Sequence, residues 1–317
     1  MPDALEATVK DEALDAVDAQ AKAANASKAE KPRSLWSDAW HDLRRNPLFL
    51  ISAVLIVLLL AMAIAPGLFT SADPRYADLA KHYLQKPNWG NVFADDWLGY
   101  DGQGRSIYAR LVYGARASIS VAVVVTVLVT VFGGIVGMLA GYFGGWVDTI
   151  LSRVTDIFFG IPFILGAMVV LTSFEDRALY VVILALAFLG WTQIARVARG
   201  SVITIKQADY VMAAKALGAS TPRILLRHIL PNAVAPVIVV ATIALGGYIS
   251  AEATLSYLGI GLAEPTVSWG VDISSGAEQL RNEPYVLILP SIMVSITVLA
   301  FIMLGDAVRN ALDPKLR

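Results

Sequence analysis

The chain has 317 residues, 56% of them hydrophobic and 16% charged, with a formal net charge of −1. A soluble domain of this length is more polar, so the composition points to an integral membrane protein. Net charge alone says nothing about nucleic acid, but no basic run with interleaved aromatics offers a surface for it, and with no cysteine there is neither a disulfide nor a thiolate metal site.

Residues 1–33 are rich in Ala, Asp, Glu and Lys and poor in aromatics, without the apolar core of a signal peptide. They have little to bury, which predicts a disordered tail. Residues 34–45 follow, where Leu35, Trp36, Trp40 and Leu43 share one helical face and Asp38, Asp42, Arg44 and Arg45 fall largely off it. That pattern predicts a helix lying in the membrane interface, where tryptophan is enriched.

Uncharged runs cover residues 46–72, 117–147, 157–174, 178–195, 229–251 and 284–305. Each is close to the ~17–25 residues a helix needs to cross a bilayer. The expected fold is therefore all-α, with six transmembrane helices in a domain spanning 46–317. Arg33, Arg44, Arg45, Arg153, Arg196, Arg199, Lys206, Lys215, Arg223, Arg227, Arg309, Lys315 and Arg317 gather on one side, while Glu175, Asp176, Glu264, Asp272, Glu278 and Glu283 lie on the other. The positive-inside rule then places both termini and a 196–231 loop in the cytoplasm.

An outer loop, 73–116, contains Gly99, Gly102 and Gly104, which predict tight turns, and a helix from about Ser106 leads into the second span. No strand precedes these glycines, so they are not a dinucleotide-binding turn. Gly133, Gly137 and Gly141 form a small-residue ridge in the second span, a pattern that lets two helices approach closely in lipid. Asp148, Arg153 and Asp156 are positioned for ion pairs beyond it. Glu252 is the acid at the edge of the fifth span. It is a functional candidate, for a gate, because an ionisable group there is costly; a structural role is the alternative.

The most informative stretch is 206–231, KQADYVMAAKALGASTPRILLRHILP, polar and set between apolar runs. Asp209 is an N-cap candidate. Tyr210, Val211, Ala214 and Leu217 recur at helical spacing as a narrow apolar face. Gly218 suits the left-handed turn that ends a helix. Ser220 or Thr221 then offers a second cap, with Pro222 at a first helical position, and Pro231 interrupts the helix that follows. Two amphipathic helices broken at a glycine are either a docking knob for another protein or an interfacial hairpin without a partner.

The chemistry that is missing narrows the choice. There is no Walker A pattern for ATP and no nucleophile elbow. His41, His82 and His228 show no metal-ligand spacing. The spans carry almost no titratable groups for a proton relay. If the stretch is a docking knob, the chain reads as a translocation path whose energy arrives from outside, through it.

Stretch 206–231 resembles the EAA loop of ABC-importer permeases. Ala213 and Ala214 match its alanines, Gly218 its glycine, and Leu230-Pro231 its end, while Met212 and His228 replace the usual glutamate and isoleucine. DYVMAAKALGAS and RHILPN are similar to the dipeptide, oligopeptide and nickel branch (C-type subunit). So is DDWLGYDGQGRSIYARLVYGARAS, where Tyr100 and Ser106 depart from threonine and aspartate. GYFGGWVDTILSRVTD, SAEATLSYLGIGL, Trp269-Gly270 and LGDAVRNALDPKLR continue the match, with Asn310 departing from aspartate. The resemblance runs from about residue 95 to 317.

It implies a type I permease fold in a bacterial cytoplasmic (inner) membrane. Asp209, Tyr210, Ala213, Ala214, Leu217, Gly218, Ala219, Arg223 and Pro231 would meet an ATPase subunit. The implied partners are a second, homologous permease, two ATPase subunits that bind ATP and Mg, and an extracytoplasmic substrate-binding protein. Short peptides are the leading substrate class, with nickel chelates, glutathione, haem or another small solute as alternatives. An autonomous carrier or channel, with the loop merely interfacial, is the reading from a different class. No catalytic residue is expected in this chain.

Overall fold

The computed structural model describes residues 40–312. The 1–33 tail, the 34–39 part of the interfacial segment, and Asp313 and Pro314 lie outside the described residues. Of the interfacial segment, residues 40–43 are helical, and the Arg44 guanidinium lies over the Trp40 ring, 4.8 Å from its centroid.

Every regular element among the described residues is helical. Helix α1 (Pro47–Ile64) begins where the Asn46 side chain accepts from the Leu48 amide. It ends at Ala65-Pro66, because proline has no N–H to continue the ladder. Helix α2 (Ile107–Phe143) begins where the Ser106 side chain accepts from the Ala109 amide. Helices α3 (Gly145–Phe159) and α4 (Phe163–Thr172) are bent by 83° across Gly160 to Pro162. Helix α5 (Leu179–Ile205) is the most enclosed span. Then come α6 (Asp209–Ala216), α7 (Thr221–Ile224), a π-helical turn (Leu225–Ile229) and α8 (Leu230–Tyr257). Short α9 (Trp269–Ala277) and long α10 (Tyr285–Leu312) complete the chain.

Among the described residues five helices are long and apolar enough to cross a membrane, and the bent α3/α4 pair supplies a sixth crossing if it counts as one span. The direction of travel then alternates. Residues 47 and 312 and the 206–231 stretch share one end of the bundle, termed here the elbow end. The 65–106 segment and α9 share the other, the cap end.

The element bounds correct several expectations. The first run stops at Ile64, eight residues early. The third run holds only a ten-residue helix after Pro162, preceded by amphipathic α3. Helix α5 continues past Arg196 and Arg199 to Ile205, so the elbow starts near Lys206 rather than at 196. Helix α2 starts at Ile107, so the cap-end segment ends ten residues sooner than 116. The reason is common to the last two: a charge ends an apolar run but does not end a helix, whose backbone hydrogen bonds are indifferent to it. Here both arginines are paired, Arg196 with Asp156 (2.7 Å) and Arg199 with both oxygens of Asp148.

Helices α2 and α5 run parallel and in close contact along the glycine ridge. A Cβ built on Gly133 would lie 2.5 Å from the Trp191 carbonyl oxygen, and one on Gly141 would lie 2.8 Å from that of Arg199. One apolar core fills the middle of the bundle. A second, around Leu59, Ile107 and Trp269, closes the cap end, and a third, around Val202, Val211 and Ile229, closes the elbow end.

Candidate functional site

The elbow is built from its backbone outward. Ala208 takes the extended cap conformation, without a side-chain cap, and Asp209 is the first helical residue. The Asp209 carboxylate therefore complements the positive end of α6 and does not cap it, which corrects the N-cap expectation. At the far end Gly218 has φ +79. Its amide donates to the Lys215 carbonyl and the Ala219 amide donates to that of Ala214, both at 3.0 Å. This is the Schellman arrangement, and it needs a left-handed residue at the glycine's place.

Ser220 stands at the cap of α7 without a side-chain bond, and Pro222 follows in the first turn. Pro231 does not interrupt the helix. It sits in the first turn of α8, where a missing N–H is tolerated, directly after the π turn at Leu225–Ile229, in which the Leu230 amide donates to the Leu225 carbonyl.

Burial separates the residues of the stretch into anchors and a free face. Val211, Ile224, Leu225 and Ile229 pack with Val202 and Ala233. Tyr210 (47%), Met212 (53%) and Leu217 (88%) are exposed, as are Ala213, Arg223 and Pro231, with Ala214 and Ala219 half-buried. Of the predicted apolar face, Tyr210 and Leu217 are thus turned outward, Ala214 is half-buried and Val211 is an anchor. Lys206 ties the elbow to α2, its Nζ donating to the Gly141 and Tyr142 carbonyls at 2.8 and 3.3 Å.

A cleft of about 550 Å³ opens where the α3/α4 bend meets α5 and α8. Phe158, Phe159 and Phe163 form one side, while Thr192, Gln193, Ser250 and Thr254 supply uncharged polar groups. None of these was singled out in the sequence. Single polar residues in apolar runs carry no signal until the helix faces are known.

At the cap end five ionisable side chains meet. Arg105 Nε donates to Asp101 Oδ2 (2.7 Å) and its Nη1 to Glu264 Oε1 (2.6 Å). Arg110 Nε donates to Asp272 Oδ1 (2.6 Å), and its Nη2 reaches Glu264 Oε1 (3.3 Å). Arg110 is 2% exposed. Burial pushes the Asp272 carboxyl up, against the pull of the Arg110 guanidinium. The cluster ties the start of α2 to α9 and the loop before it. In the sequence Glu264 and Asp272 stand out only as acids of one side, and nothing there pairs them with Arg105 and Arg110.

Glu252 is fully buried, in α8 and short of its end, rather than at the edge of a span. It accepts from Ser118, Ser256 and Ser268. No group of three or more His, Asp or Glu side chains among the described residues is arranged to hold a metal.

Residues 133–317 match the family described as binding-protein-dependent transport system inner membrane component, and residues 34–87 match the N-terminal TM domain of oligopeptide transport permease C. The chain belongs to that first family and is a multi-pass inner-membrane permease subunit, a non-catalytic role. It is similar to the oligopeptide transport system permease of Bacillus subtilis (38% identity, 93% of this chain and 96% of the relative). The dipeptide transport system permease of Alkalihalophilus pseudofirmus is 35% identical over 90% of this chain and 91% of the relative. A glutathione transport system permease of Escherichia coli is 34% identical over 92% and 94%. Within the family, the two matches and these relatives make the chain a C-type permease of an ABC importer.

Proposed function

We propose that the chain forms one half of the path by which an ATP-driven importer brings short peptides into the cell. ATP and Mg bind to two partner ATPase subunits. A related but distinct permease completes the path, and an extracytoplasmic binding protein delivers the substrate. The elbow and both termini face the cytoplasm, in keeping with the end of the bundle that residues 47 and 312 share with the elbow and with the arginine and lysine bias of these segments.

The observation that carries this reading is the elbow. Its inner residues are anchored to the bundle while Tyr210, Met212 and Leu217 present an apolar surface at its tip. An apolar tip on a polar, rigidly attached hairpin fits a pocket on another protein better than it fits water. Asp209, Ala213, Ala214, Gly218, Ala219, Arg223 and Pro231 shape or flank that surface. Peptides are favoured because two relatives are named for oligopeptide and dipeptide transport, and because the cleft has uncharged walls that do not sort peptides by side-chain charge. The glutathione relative, of nearly equal identity, favours a second reading in which that solute is carried.

The chain has no cysteine, so Leu217→Cys gives a unique thiol. Cross-linking from it to a co-purified ATPase, weakened when ATP is added, is the expected result. A thiol that reacts only with soluble reagent in the intact complex overturns the coupling role. Uptake of labelled dipeptide against labelled glutathione separates the two substrates.

A further inference from the structure

We propose that Glu252 is held as a carboxylate and acts as the positioning residue that fixes α9 to α2 and α8 during transport; the transport part rests on the permease reading above. The argument is a count of the donors that surround the carboxyl. Ser118 Oγ accepts from the Trp269 amide (3.3 Å), Ser256 Oγ from the Leu262 amide (3.0 Å), and Ser268 Oγ from the Val271 amide (3.2 Å). Each hydroxyl has one proton, and each lies within hydrogen-bond distance of Glu252: Ser118 at 2.9 Å from Oε2, Ser256 and Ser268 at 3.0 and 3.1 Å from Oε1. A carboxylate accepts all three. The second lone pair of any of these hydroxyls could take the proton of a neutral acid, but that hydroxyl would then turn its own proton away from Glu252, so only the carboxylate keeps all three donors. Burial opposes the charge, and three hydroxyl donors, each polarised by a backbone amide, favour it.

The consequence is mechanical. The carboxylate reaches three separate stretches of chain: α2 through Ser118, the 258–262 turn through Ser256, and the first turn of α9 through Ser268, its N-cap. Gly270 lies so close that a Cβ there would meet Glu252 Oε1 at 3.0 Å and Ser256 Cβ at 2.8 Å. The Arg110–Asp272 pair holds the same helix from its other side. Helix α9 therefore moves with the cap ends of α2 and α8 as one body, and a signal arriving at the cap end reaches the spans through this joint.

Two measurements test the proposal. The first is the infrared difference between the full chain in lipid and its Glu252→Gln variant. Loss of a carboxylate stretch is expected, and loss of a neutral-acid carbonyl stretch overturns the ionised state whatever the protein transports. The second is ATP hydrolysis by the assembled complex, with and without binding protein. Glu252→Gln is expected to keep the resting rate and lower the stimulation about tenfold, the scale of one hydrogen bond to a charged group. Ser268→Ala, which removes one donor and the α9 cap, is the milder variant should Glu252→Gln fail to assemble, and a smaller loss in the same direction is expected. An unchanged ratio of stimulated to resting rate in the variants that assemble overturns the positioning role. Absence of any ATPase from the wild-type complex sinks the permease reading instead and leaves the infrared result standing.

Discussion

Gly137 on α2 faces Ala198 on α5 so closely that a Cβ on the glycine would lie 2.7 Å from the alanine's own Cβ and 2.9 Å from the Arg199 amide nitrogen. Its neighbour Gly134 has nothing within 4 Å. Gly137→Ala is therefore expected to lower stability by about 1–3 kcal/mol through overpacking, and Gly137→Leu to lose the folded subunit. Gly134→Ala is expected to be neutral or to gain up to about 1 kcal/mol from helix propensity. Thermal melting of the purified variants decides it, and equal shifts at 134 and 137 would show that the ridge does not set the helix separation.

Gly218 separates backbone strain from steric clash. No heavy atom lies within 4 Å of a Cβ built there, yet φ is +79. Gly218→Ala or Gly218→Leu is expected to cost only about 1–2 kcal/mol, the left-handed penalty, at the elbow. Gly218→Pro cannot take the conformation, because its ring fixes φ near about −65°. Membrane insertion should survive in all of them, with ATP-dependent uptake in vesicles falling most for proline. Wild-type uptake by Gly218→Pro would refute the coupling role.

The cap-end cluster should be sensitive to the loss of one member. Arg110→Met leaves Asp272 and Glu264 facing each other without their shared cation, and about 3–5 kcal/mol of destabilisation is expected. Lys86→Met removes an exposed pair with Glu283 at 3.8 Å and should cost no more than about 1 kcal/mol. Denaturant or thermal melts of the two variants side by side provide the check.

At the elbow tip, Leu217→Glu changes a side chain that is 88% exposed and should leave the melting temperature of the isolated chain unchanged. Recovery of ATPase on the purified permease is expected to drop by roughly tenfold, the equivalent of about 1.4 kcal/mol at an interface. Val211→Glu, which buries a charge in the elbow core, should instead destabilise the hairpin itself.

Much of this protein could be read from its amino acids because membrane folding imposes long apolar runs and small residues at close helix contacts. The positions of α1, α2, α5, α8 and α10 follow from hydropathy, and Gly218 and Pro222 lie where turn chemistry puts them. Helix ends were less legible. Arg196, Arg199 and Glu252 end apolar runs but not helices, because pairing and hydroxyl donors carry all three into helix. The outward turn of Tyr210 and Leu217 was also hidden, since a periodic apolar stripe looks the same whether it faces a core or a partner.

The sequence by itself determined that this is a helical membrane protein, how many apolar runs it has, and where its polar elbow breaks, because those features depend on local composition and local backbone preference. Only the tertiary structure decided which charges meet across more than 150 residues, which hydroxyls surround Glu252, and which walls form the cleft. Such pairings depend on helix rotation and on the approach of α2 to α5 and of α9 to α8, which no single stretch of chain encodes.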